Sequence, residues 1–449
     1  MTLSDLETKR IAIWGLGKEG LESYRTLRRR FPTKPILLIN QKRPVDLPED
    51  DNSSFLLEED MEQHIKDIDV VVKAPGISLY HPLVTRLKQQ GVHVTSATNL
   101  WFAQAVAGIV IAITGSNGKS TTSALLAHIL TGLGHRTAFG GNIGTPLLSL
   151  DPQADYYVVE LSSYQTADLT YAPDIAVLLN LFPEHIQWHH SHDQYFTDKC
   201  NLIRTGAKTV LLNRTDPLTR KILTSEMLKD IPATVLWFND PQGLHIQGDF
   251  IVSGNAASGN DIIGPIKDIT LPGSHNQENI CAALTLCRAL KLDLKACFKL
   301  AASYGGLPHR LETLGRHDAI TYINDSISTT PEAAIAALKS FEGRSITLIA
   351  GGEDRAQDYT GLAKYAADHP KITVITLYET GDRISTALRD AGAMSVLTVH
   401  DLTDAVRKSQ EVTPDGGIIL LSPAAPSYDA FQNFEARGEK FRALYKDTC

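Results

Sequence analysis

Two glycine turns and a few charged residues at strand ends are the parts of this chain that can do chemistry. The first to stand out is Gly115-Ser116-Asn117-Gly118-Lys119-Ser120-Thr121, which follows the apolar run VIAI and opens a helix-like pattern. A strand, a glycine turn and a helix in that order aim backbone N–H groups at a phosphate. The loop is shorter than GxxxxGK[ST], because Ile113 stands at the place of the first glycine. It still offers glycines for close approach, Lys119 for the β/γ-phosphates and the hydroxyls of Ser120 and Thr121 for Mg2+.

The second turn, Gly15-x-Gly17-x-x-Gly20, also follows a strand and opens a helix. A NAD site would want an acidic residue about 20 positions on, to hold the ribose hydroxyls. Here the next strand ends in Asn40-Gln41-Lys42, which speaks against a dehydrogenase. A diphosphate ligand other than NAD is favoured, and a tight turn with no ligand stays open. Glu160 ends the apolar strand YYVVE, where a carboxylate reaches a metal. Taken alone, His185 reads as structural and Lys199 as a solvated lysine. The stretch HIQWHHSHDQY holds four histidines but no cysteine and no HExxH, so it reads as a polar loop near a substrate rather than a zinc site.

These residues need a scaffold of alternating strands and helices. RIAIWG, KPILLIN and IDVVVKAPG read as strands, with EGLESYRTLRRR and HPLVTRLKQQG as helices. A second series starts at GIVIAITG, continues through a helix at 119–131 and adds DYYVVELSS, IAVLLNL and KTVLLN. Residues 240–262 suggest a small hairpin insertion. A third series runs from GLPHRLE through ITYINDS, SITLIAGG, ITVITLYE, SVLTVHD and GIILLSPA. The fold class expected is therefore α/β: three consecutive Rossmann-like domains with mostly parallel sheets, the central one of P-loop type. The boundaries fall at 1–105, 106–306 and 307–449.

Composition sets limits. The chain has 449 residues, 43% hydrophobic and 21% charged, with a net charge of −8 that argues against general nucleic-acid binding. No apolar run approaches the roughly 20 residues of a membrane helix. The polar start MTLSDLETKR is no signal peptide, and five scattered cysteines fit free thiols in a reducing cytoplasm.

TGSNGKST, GGNIGTP, ELSSYQ, GSHNQEN, GLPHRLE, INDS and FQNFEARGEKF stand in the order in which they occur in the Mur ligases, and the chain resembles that family over its whole length. It is most similar to the glutamate-adding members. The resemblance implies that the first glycine turn (Gly15, Leu16, Gly17, with Asn142) holds UDP-N-acetylmuramoyl-L-alanine. ATP then phosphorylates its carboxylate, and glutamate's amine attacks the acyl phosphate. Lys119, Glu160, His185 and Lys199 become the catalytic set. Two Mg2+ ions are implied, on Ser120, Glu160, His185 and a carbamylated Lys199. ATP would also meet Gly115, Asn117, Gly118, Thr121, Asn276, Asn279, His309, Arg310 and Asp325. For Asn276 and Asn279, helix N-capping is the alternative. Asp198, before Lys199, either supplies another carboxylate or faces water. Residues 307–449 would swing on a hinge to exclude water. A cytoplasmic monomer with small-molecule substrates, no membrane and no nucleic acid is the family default.

The glutamate-contacting places are occupied by Thr329, Arg355, Ser427 and Phe434. Relatives carry lysine where Ile327 and Arg355 stand, and Pro426 precedes the loop serine. Arginine clamps a carboxylate through two hydrogen bonds, which lysine does not. Because the departures cluster around the amino-acid carboxylates, the reading favours the L-glutamate-adding branch. A D-glutamate-adding enzyme and a non-catalytic Mur-like nucleotide-binding module remain alternatives.

Overall fold

The computed structural model of the chain describes every residue except 45–46, 48–49, 183, 224–232, 255–260, 272 and 449. It forms two compact units. One comprises Met1–Ile269 and Ser274–Tyr304, the other Thr270–Gly273 and Gly305–Cys449. Among the described residues no helix is long and apolar enough to cross a membrane.

The first unit opens with β1 (Ile11–Trp14), β2 (Ile36–Asn40), β3 (Ser53–Leu57), β4 (Val70–Lys73) and β5 (His93–Thr95). They lie in the order β3-β2-β1-β4-β5, all parallel. Ile11 and Ile13 pack into one cluster with Tyr24 and Leu27, while Ala12 and Trp14 pack into another with Met61 and Leu87. Alternate residues thus serve opposite faces, which is why β1 carries no polar residue. The strand order reverses between β1 and β4, the switch point where such sheets take ligands. The Gly15 turn leaves β1 there and residues 74–81 leave β4. A Cβ on Gly15, whose φ is +92°, would stand 2.8 Å from Ala74 Cβ, so the two loops touch.

The same unit holds β6 (Ile109–Thr114), β7 (Thr137–Gly141), β8 (Tyr156–Glu160), β9 (Ile175–Leu178), β10 (Thr209–Asn213), β11 (Thr234–Phe238), β12 (Leu244–Gln247), β13 (Phe250–Ser253) and β14 (Asp261–Pro265). Their order is β14-β13-β12-β11-β10-β9-β6-β8-β7. β7 through β12 pair in parallel, and β12, β13 and β14 pair antiparallel. The expected hairpin insertion is a three-stranded antiparallel extension of the sheet, with residues 255–260 outside the described ones. β6 lies between β8 and β9, so the loop that follows it emerges at a second switch point.

The second unit contains β15 (Glu312–His317), β16 (Ile320–Asn324), β17 (Ile346–Ala350), β18 (Ile372–Thr376), β19 (Val396–Thr398) and β20 (Ile418–Leu421), ordered β15-β16-β20-β17-β18-β19. Only β15 runs antiparallel. Its two-residue turn, Asp318-Ala319, has φ of 44° and 64°, the positive-φ pair that a right-twisted hairpin requires. Three α/β sheets in series match the fold class expected from the sequence.

Candidate functional site

The loop after β6 is shaped by its glycines and by bonds to the segment after β9. Gly118 caps the helix Lys119–Gly132 with a φ of +81°, and a Cβ there would stand 2.5 Å from Asn279 Oδ1. Ser116 donates to the Phe182 carbonyl at 2.9 Å and accepts the Phe182 N–H at 2.8 Å. Asn180 accepts the Asn117 N–H at 2.8 Å and donates to the Asn117 carbonyl at 3.0 Å. Lys119 Nζ reaches the loop carbonyls of Gly115 at 2.8 Å and Ser116 at 2.7 Å. Ser120 is buried one position into the helix, where the backbone dipole favours an anion.

Glu160 is fully buried at the end of β8, directly across the ladder from Ile113. Its Oε1 accepts the Asn142 amide at 2.7 Å, and its Oε2 has no protein partner. A buried carboxylate oxygen left open beside a phosphate loop fits a cation. The amide nitrogen of Asn142 is engaged in orienting that carboxylate. His185 has φ +54° and is half-exposed. Burial holds its pKa below the ordinary histidine value against the pull of Glu184, with Lys199 and Lys119 adding to the depression. A neutral imidazole of this kind can ligate a metal.

Lys199 is not a solvated lysine: it is 1% exposed and its ammonium lies 4.9 Å from the Tyr195 ring centre. Burial first, then the charge of Lys119, lowers its pKa to about 7, against smaller opposing contributions from Glu184 and Glu160. In space, Glu160 lies across the ladder from Ile113 at the foot of the phosphate loop, and the Tyr195 ring links Lys199 to that loop at Ser116. Tyr195, absent from the sequence-based set, donates to or accepts from Ser116 Oγ at 2.8 Å and so supports both the loop and Lys199. Its i, i+4 spacing to Lys199 was the available signal.

Three expectations change. Asp198 neither faces water nor is open to a metal: it is buried and accepts from Tyr80, Gln194 and His189. The histidine-rich stretch is not simply a polar loop, since His189 is wholly buried. No metal-holding group of three His, Cys, Asp or Glu occurs among the described residues. Asn276 and Asn279 do not cap their helix. They lie inside Ser274–Ala289, with Asn279 donating to Asn276 at 3.1 Å and pressed against Gly118. At the first turn, Asn40 Oδ1 accepts the Leu16 N–H at 3.2 Å, so the residue in the acidic position supports the turn itself.

In the second unit, His309 is buried against Asn324 at 2.9 Å, which opposes a free role toward a nucleotide. Asp325 is likewise occupied. It accepts from Leu311 N–H, Ser328 and Ser422, and burial raises its pKa to about 6. Arg310 Nε is buried without a partner. The loops carrying Thr329, Arg355 and Ser427 are drawn together: Gln357 donates to the Thr329 carbonyl at 2.9 Å and Glu353 N–H to the Pro426 carbonyl at 2.9 Å. Arg355 is exposed, bonded to Glu353 at 2.9 Å and stacked 5.5 Å from the Tyr428 ring. Beneath them lies Arg437, 1% exposed, which sequence reasoning missed. It donates to the carbonyls of Ser326, Ala425 and Pro426 at 2.9, 3.1 and 3.2 Å. Phe434 begins the helix that carries Arg437.

A glycine phosphate loop, a strand-end glutamate open to a cation and a buried low-pKa lysine, set in serial α/β sheets, define a nucleotide-phosphate enzyme. Comparison with known proteins narrows the class. Residues 113–287 match the model of the Mur ligase middle domain and residues 309–425 that of the Mur ligase glutamate ligase domain. A UDP-N-acetylmuramoyl-L-alanine–L-glutamate ligase of Xanthomonas oryzae pv. oryzae is 41% identical over 99% of this chain and 96% of its own. One of the same name from Micromonospora sp. is 38% identical over 100% and 99%. A solved MurF of Acinetobacter baumannii shares the fold with TM-score 0.60 at 16% identity, covering 97% of this chain and 90% of that one. The MurF ligase of Thermotoga maritima, solved in complex with ADP, does so with TM-score 0.56 at 16% identity, over 100% and 97%. The chain belongs to the Mur ligase family, as its sequence resemblance implied.

Proposed function

We propose that this enzyme joins L-glutamate to UDP-N-acetylmuramoyl-L-alanine, consuming ATP through an acyl phosphate. The open Glu160 oxygen beside the Lys119 loop carries the reading, because that combination suits a metal-bound triphosphate. The relatives' names and the departures at Ile327, Arg355 and Pro426 support the L-enantiomer. Residues 1–105 serve the UDP-sugar, with Gly15, Leu16 and Gly17 on its diphosphate. Residues 106–306 serve ATP, and 307–449 serve glutamate, held by Thr329, Arg355, Ser427 and Phe434.

Two anions must meet, so fixed cations and positioning do most of the work. Lys119 offsets charge on the β/γ-phosphates while the substrate carboxylate attacks the γ-phosphorus and ADP leaves. Glutamate's neutral amine then attacks the acyl carbon, phosphate departs with the C–O bond pair, and the nitrogen sheds its proton. Glu160, Ser120 and His185 would hold Mg2+, which supplies charge neutralisation when bound. The depressed Lys199 amine can add CO2 and lose a proton, giving a carbamate that complements such a cation.

The test is phosphate release by the purified protein, using substrate labelled with 18O in its carboxylate. The expected result is release only when ATP, Mg2+, UDP-sugar and glutamate are all present, with one label transferred to phosphate. Unlabelled phosphate would remove the acyl phosphate, and release without glutamate would remove the ligase.

A further inference from the structure

We propose that Tyr80, Asp198 and His189 form a latch by which the loop after β4 positions the helix bearing Lys199. The inference rests on the functional reading above and adds residues outside its catalytic set.

Residues 74–81 sit at the switch point of the first sheet, where Ala74 packs against the Gly15 turn. The far end of the same loop is fastened to residues 188–198. Ser78 Oγ donates to the Trp188 carbonyl at 2.8 Å, and Trp188 Nε1 donates back to the Pro75 carbonyl at 3.2 Å. Tyr80 Oη lies 2.7 and 2.9 Å from the two oxygens of Asp198, one position before Lys199 on the helix His192–Arg204. Asp198 also accepts from Gln194 at 2.9 Å and pairs with His189 Nδ1 at 2.6 Å. His189 Nε2 meets Ser163 Oγ at 2.9 Å, at the start of the short helix that follows Glu160.

Ser163, His189 and Asp198 have the bonding order of a Ser-His-Asp nucleophile. Exposures of 2%, 0% and 4% leave no room for a substrate carbonyl. The buried carboxylate therefore does mechanical work. It gathers donors from the loop after β4, from the histidine stretch and from its own helix, and through His189 it reaches the Glu160 segment. A charge-assisted network of this kind fixes its members far better than apolar contact does. Its consequence is directional: loosening Tyr80 disturbs the UDP-sugar loop and the Lys199 helix together, while the ATP loop stays held by Phe182 and Asn180 even where its single bond to Tyr195 on that helix loosens.

Tyr80→Phe removes one hydroxyl and keeps the ring. The expected result is a KM for UDP-N-acetylmuramoyl-L-alanine about 10-fold higher and a kcat about 10-fold lower, each about 1.4 kcal/mol. The KM for ATP and the melting temperature stay close to wild type, which a general loss of structure would not allow. Tyr80→Phe in an Asp198→Ala background adds little, because the Tyr80 hydroxyl acts through that carboxylate alone. Kinetics of Tyr80→Phe within twofold of wild type, or effects of the two changes that multiply, would overturn the latch. A wild-type protein that releases no phosphate with this substrate would instead overturn the functional reading on which it rests.

Discussion

Lys199 shows how much one side chain depends on its surroundings. In sequence it is one lysine in a polar helix; buried against Tyr195 and near Lys119, its pKa falls to about 7. Only the neutral amine adds CO2, so carbamylation and activity should decline as pH drops through about 7 and recover with added bicarbonate. A rate profile flat from roughly pH 6 to 8, indifferent to bicarbonate, would contradict this. Stability must follow the same titration. The folded lysine releases its proton near 7, the unfolded one near the ordinary lysine value of 10.5, so across that interval the unfolded chain binds more protons and stability rises with pH. The contribution is complete above the unfolded value and lost as pH falls through about 7. Urea midpoints of wild type against Lys199→Met should diverge in that direction, on the order of a few kcal/mol.

At the scale of elements, what is apolar and local was legible, and what depends on distant partners was not. The buried runs VIAI, YYVV and IAVLL announce β6, β8 and β9, and the glycine turn after β6 fixes where the phosphate loop lies. The β15–β16 hairpin escaped, because Asp318-Ala319 lacks the glycine or asparagine that usually marks such a turn. Arg437 escaped because FEARGEKFRALYKD alternates charge like a solvated face, yet the helix Phe434–Thr448 turns this arginine inward. Burial lowers its pKa to about 10, and its donors hold the loops after β16 and β20. Arg437→Met should cost about 3 kcal/mol by stranding those carbonyls, read as a lower urea midpoint for the second unit. A loss below about 0.5 kcal/mol would mean the loops hold themselves.

Across the whole molecule, the order of motifs over 449 residues revealed the family, while the roles of single residues needed the fold. His309 and Asp325 stand at family positions, but the structure surrounds them with partners of their own. Asp198 and His189 are 9 residues apart, and Tyr80 is 118 positions from Asp198, a pairing no periodicity shows. A net charge of −8 on a protein whose proposed ligands are all anions leaves local groups such as Lys119 and the helix N-termini to do the attracting. The amino acid joined decides between the two glutamate-adding branches. The most direct measurement is phosphate release with ATP, Mg2+ and UDP-N-acetylmuramoyl-L-alanine, run in parallel with L-glutamate and with D-glutamate. Turnover with L-glutamate and none with D-glutamate is the result expected. Turnover with D-glutamate alone would contradict it and make Ile327 and Arg355 tolerated substitutions in a D-specific pocket.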